Sequence, residues 1–69
     1  MDKYIFLREM ENAGFKTQRE FAKYVGISYK TLNNHLNGIT KVSTEDATRY
    51  CNALKIHDDD KIVRIFFTQ

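Results

Sequence analysis

Proline is absent from the chain and glycine occurs only three times, which leaves Gly14, Gly26 and Gly38 as its main punctuation. Their even spacing is not a repeat, because the residues between them do not match and the intervals are too short for a solenoid unit. Cysteine occurs once, so Cys51 has no partner for an internal disulfide, and no Cys/His cluster has the spacing of a zinc site. No run of about 18 apolar residues is available to span a membrane. The opening stretch MDKYIFLREMENAG has an acid at position 2 and charges among its apolar residues, unlike the basic and then apolar regions of a signal peptide. With 69 residues the expectation is one domain, 1–69, around a single small core: an intracellular, soluble protein without a metal or other cofactor.

Acidic residues are scarce in one place. Residues 15–43 carry Lys16, Arg19, Lys23, Lys30 and Lys41 against the single acid Glu20, while the rest of the chain is net negative and the whole is only +2. A phosphate backbone would select such a local excess, although the same lysines and arginines would also make an ordinary solvated face.

Each glycine follows an apolar pattern of helical period and reads as a helix stop, since glycine accepts the left-handed conformation just past a helix end. A first helix is predicted from about Asp2 to Ala13, with Asp2 as cap and Phe6, Leu7, Met10 and Ala13 on one face. Thr17 and Glu20 form a T-x-x-E capping box for a second, whose inward stripe is Phe21, Ala22 and Val25. Ser28 caps a third that ends before Gly38, with Leu32 and Leu36 inward and Ile27 packing from the turn. Ser43 or Thr44 starts a fourth, with Glu45 and Asp46 in its first turn and Ala47, Tyr50, Cys51 and Leu54 as its stripe. The last stretch, HDDDKIVRIFFTQ, has strand-favouring residues, but Ile62, Ile65 and Phe66 repeat at helical spacing behind a capping run of Asp58 to Asp60. The expected fold is therefore all-α, with five short helices.

Helices two and three are joined too tightly to pack as an antiparallel hairpin, so they should cross steeply, as in a helix-turn-helix spanning about 17–37. If Leu32 and Leu36 face the core, then Tyr29, Lys30, Asn33, Asn34 and Asn37 project outward. Asparagine weakens a helix by a few tenths of a kcal/mol but suits base reading, because its amide can pair with N6 and N7 of adenine in the major groove.

The stretch TQREFAKYVGISYKTLNNHLNG resembles the lambda-repressor-like (Cro/CI, XRE-type) helix-turn-helix of phage and bacterial regulators. The resemblance rests on Gln18, Phe21-Ala22, Val25-Gly26-Ile27-Ser28, Leu32 and Leu36-Asn37-Gly38, and STEDATRYCNALKI is similar to the family's fourth helix. It implies a sequence-specific binder of double-stranded DNA, a small transcriptional regulator working in the bacterial cytoplasm and nucleoid. By the same resemblance Tyr29, Lys30 and Asn34 take the principal base-reading positions, with Asn33 and Thr40 as further readers. Gln18, Arg19, Ser28, Asn37 and Lys41 take the phosphate-binding ones. The sequence departs from well-known members in having Tyr29 and Lys30 where glutamines are frequent, and Val42-Ser43 where a proline is common before the fourth helix. Lys30 can read guanine or hold a phosphate, and Tyr29 can meet a thymine methyl or lie along the backbone.

Each feature alone has a plainer reading: capping boxes start many helices, and rows of Asn and Lys are usually solvated. It is their joint order, on a helix whose buried side is fixed separately, that favours DNA. Asp58–Asp60 lack EF-hand spacing, neither His35 nor His57 has an acid or cysteine placed to suggest a metal site or a nucleophile–base pair, and Cys51 sits in an apolar stripe, so no catalytic or metal constellation is expected. One reading helix covers half a site, so the expected regulator is a homodimer on a near-palindromic operator, a repressor in the simplest case, with no membrane or small-molecule partner. The apolar tail, Ile62, Val63, Phe66 and Phe67, is the candidate dimer surface; it is equally explained by a small core that uses both sides of the last helix. The alternative function is a protein-binding module of the same fold, such as a phage inhibitor or a toxin partner.

Overall fold

The computed structural model describes residues 1–67, and each of its five helices begins at a side chain that caps it. In α1 (Lys3–Asn12), Asp2 Oδ1 accepts from the backbone N–H groups of Tyr4 and Ile5, both at 3.1 Å. Thr17 Oγ1 accepts from Glu20 N at 3.0 Å to start α2 (Gln18–Val25), so one of the two bonds of the expected capping box is made. Ser28 and Ser43 start α3 (Tyr29–Leu36) and α4 (Thr44–Leu54) in the same way, and Asp58 starts α5 (Asp59–Phe66). Each cap satisfies an N–H group that the first helical turn leaves without a partner. The tail is thus helical, and among the described residues there is no strand.

The helices meet around an aromatic centre. Phe6 of α1, Phe21 of α2, Leu32 of α3, Tyr50 of α4 and Ile65 of α5 are all fully buried, so every element contributes one residue to the middle. Phe6 packs edge-on against Phe21, Tyr50 and Phe66, with ring centroids 5.6, 5.1 and 6.2 Å away. Such rings bury large apolar areas, and edge-to-face geometry adds to the gain from burial. Of the residues expected inward, Ala13 is exposed as the cap of α1, whereas Leu7 and Val25 are half-buried and pack against the edge of the core.

The two ends of the chain close on each other. Asp2 N donates to Ile65 O at 2.6 Å, and Lys61 Nζ lies 3.2 Å from Glu9 Oε1, tying α5 to α1. This pair of helices backs the remaining three, with α2 packed against both α3 and α4.

Candidate nucleic-acid interface

The connection between α2 and α3 is built by three residues, Gly26, Ile27 and Ser28. Gly26 sits at φ 91°, where a side chain would be strained although the space beside it is open. Its N–H and that of Ile27 both donate to Ala22 O, at 2.9 and 3.0 Å, which closes α2 and turns the chain. Ser28 then starts α3 at once: its hydroxyl accepts from Thr31 N at 3.0 Å and pairs with Thr31 Oγ1 at 2.8 Å. Leu32, His35 and Leu36 are buried on the inner side of α3, so the opposite side is fixed by packing.

That outer side carries the residues expected there. Lys30 and Asn37 are exposed, and Tyr29, Asn33 and Asn34 are half-buried. Tyr29, Asn33 and Asn37 lie one helical turn apart and are joined to one another: Asn37 Nδ2 donates to Asn33 Oδ1, and Asn33 Nδ2 reaches Tyr29 Oη at 3.5 Å. The row has a cation at each end. The Arg19 guanidinium lies 4.3 Å from the Tyr29 ring centroid, a cation–π contact, and Lys3 Nζ of α1 donates to Asn37 Oδ1 at 3.3 Å. Lys3 was not among the site residues expected from the sequence. Its partner is 34 positions away, so no local pattern could have pointed to it.

Gln18 is half-buried at the first position of α2, and with Arg19 and Tyr29 it borders an open groove of about 910 Å³ between the end of α1 and the starts of α2 and α3. Thr40 and Lys41 are exposed beyond the other end of α3. Their loop is held because Ile39 N and Thr40 N both donate to Asn34 O, at 2.9 and 3.4 Å. Gln18 and Arg19 thus meet Tyr29 at the start of α3, Thr40 and Lys41 follow its end in the loop, where they border a second groove with Met1 and Phe67, and the Ser28 hydroxyl is occupied in capping α3.

Behind that face lies a polar contact that the sequence reading missed. His35 is 3% exposed, with Nδ1 2.6 Å from Tyr50 Oη and Nε2 4.0 Å from Asp46 Oδ2, so an acid does stand near His35. Burial, and after it the charge of Asp46, pushes the Tyr50 phenol above its ordinary range. A phenol kept neutral can donate to His35 Nδ1, which leaves Nε2–H on the side of Asp46. Burial also pushes the Cys51 thiol up, so it stays an unreactive thiol at neutral pH. No group of three or more possible metal ligands exists among the described residues.

The four residues of the expected dimer surface divide in two. Ile62 and Phe66 pack against the core, whereas Val63 and Phe67 remain 52% and 68% exposed. No helix among the described residues is long and apolar enough to cross a membrane.

A family model described as helix-turn-helix matches residues 16–61, which is most of the chain and includes α2, α3 and α4. No curated protein and no solved structure matches the chain. The chain belongs to the helix-turn-helix family of XRE and lambda-repressor-like type, which places it among helix-turn-helix DNA-binding regulators.

Proposed function

We propose that this helix-turn-helix protein binds a near-palindromic operator as a homodimer, with α3 of each copy in the major groove, and represses transcription by blocking polymerase. The observation that carries this reading is the fixed orientation of α3: its inner side is locked by Leu32, His35 and Leu36, and its outer side presents Lys30, Asn34 and the Tyr29–Asn33–Asn37 row. Asn34 and Lys30 have amide and ammonium donors suited to adenine and guanine edges. Gln18 and Arg19 beside the start of α3, and Asn37 and Lys41 at and beyond its end, would hold the phosphates on either side. Dimerisation is supported by the exposed Val63 and Phe67 and by the limited reach of a single reading helix.

The test is selection of random duplexes on the purified protein, followed by titration of the winner and of a scrambled duplex. An inverted repeat with half-sites about one helical turn apart is expected. Asn34→Ala should cost about 1 to 3 kcal/mol on the selected duplex and relax the preference at one base position in each half-site. Recovery of no motif, with weak binding that fades as salt rises, would refute sequence-specific recognition and favour a protein partner for this surface.

A further inference from the structure

Along the outer side of α3, the hydrogen bonds run in one direction and end on a charge. Asn33 has both ends of its amide occupied, its oxygen by Asn37 and its nitrogen by Tyr29. Asn37 has both ends occupied as well, its nitrogen donating to Asn33 and its oxygen accepting a hydrogen bond from Lys3. Lys3 is half-buried, but its bond to Asn37 is exposed, and its Nζ uses one of three N–H groups there. No ion pair among the described residues involves Lys3, and the neighbouring carboxylate of Asp2 is turned to the N–H groups of Tyr4 and Ile5. An ammonium that is oriented by an amide, lacks a counter-charge and sits at the end of the reading helix has the chemistry of a phosphate contact.

We infer that Lys3 is a further DNA-contacting residue, held by Asn37 against the phosphate that flanks the C-terminal end of α3, and that Tyr29, Asn33 and Asn37 form the spine that presents it. Arg19, stacked on Tyr29, is the cation at the opposite end of the same spine. Asn33 is then a positioning residue, because its amide oxygen and nitrogen are already engaged by Asn37 and Tyr29. Lys30 and Asn34, whose side chains make no hydrogen bond to another described residue, are left to read. The inference rests on the DNA-binding reading above and extends the contact surface to α1, outside the family-matched segment 16–61.

The experiment measures affinity of the full chain for the selected duplex and for a scrambled duplex of the same length over a salt series, with Lys3→Met and Lys3→Arg compared with the parent. Methionine retains a long flexible stem while removing the charge. For Lys3→Met the expected result is about a tenfold loss at low salt on both duplexes, with the slope of log K against log salt shallower by about 0.9, one phosphate contact. Lys3→Arg should keep the parental slope. A parental slope for Lys3→Met would overturn the inference while leaving the DNA-binding reading intact. If the parent itself does not prefer the selected duplex, that reading fails first. Circular dichroism checks folding, and Lys3→Gln provides the same charge removal with a polar stem should Lys3→Met fold poorly.

Discussion

At the residue scale, the contact between His35 and Tyr50 joins the end of α3 to α4. The phenol is fully buried among Phe6, Phe21 and Phe66, and its oxygen is within 2.6 Å of His35 Nδ1. Tyr50→Phe keeps the ring and removes that oxygen, which leaves a buried imidazole nitrogen without its partner at a cost of about 1 to 3 kcal/mol. The raised phenol ionisation also gives the stability a defined alkaline limit. An unfolded tyrosine titrates near pH 10, so above about that pH the unfolded chain loses the Tyr50 proton while the folded chain retains it. The contribution of Tyr50 is therefore complete below about pH 10 and is lost as pH rises beyond it. Urea unfolding from pH 8 to 11 should show a decline for the parent and a flatter one for Tyr50→Phe; parallel declines would contradict the linkage. His35 was legible as a residue on the third helix, but not as half of this contact, because Tyr50 and Asp46 are brought to it only by the packing of α4.

At the scale of the elements, the helix starts were legible because their signals are local: a cap oxygen and the N–H it satisfies are two or three residues apart. Asp2, Thr17 and Ser28 each cap the helix expected of them; of Ser43 and Thr44 it is Ser43 that caps α4, and of the run Asp58–Asp60 it is Asp58 that caps α5. The tail was harder, since Ile62, Val63, Ile65, Phe66 and Phe67 suit a strand as well as a helix, and the spacing of the inward residues decided it. Helix ends were legible wherever glycine marks them. The end of α4 carries no such mark, because Lys55 occupies the left-handed conformation itself, at φ 58°. There Lys55 N donates to Asn52 O at 3.3 Å and Ile56 N to Cys51 O at 2.9 Å, which turns the chain and buries Ile56. The left-handed backbone costs a residue with a Cβ about 1 to 2 kcal/mol, part of which glycine returns through its greater freedom in the unfolded chain. Lys55→Gly should therefore stabilise the protein by about 1 kcal/mol and raise Tm by about 4 to 8 °C. A fall in Tm would mean that the exposed lysine contributes more at this helix end than its backbone strain costs.

At the scale of the whole molecule, the helix-turn-helix is not a unit that stands by itself. The family-matched segment 16–61 contains α2 and α3, yet Phe6 and Ile65 lie outside that segment and are both fully buried in the core. The sequence pattern located the inner faces of α1 and α5, whereas their closure on each other through Asp2–Ile65 and Glu9–Lys61 depends on tertiary geometry that periodicity does not carry. A domain of 69 residues has a total stability of about 3 to 10 kcal/mol. Removing a buried phenylalanine side chain alone costs about 3 to 5 kcal/mol. A fragment of residues 16–61 loses Phe6, Met10 and Ile65 together and exposes Phe21, Leu32 and Tyr50 to water. Its far-ultraviolet circular dichroism should show little helix and no cooperative melt, and its affinity for the selected duplex should fall to the salt-sensitive level of an unfolded basic peptide. A cooperative melt with retained operator preference would show instead that α2, α3 and α4 form a sufficient core, and that α1 and α5 serve the interface and the dimer more than the fold.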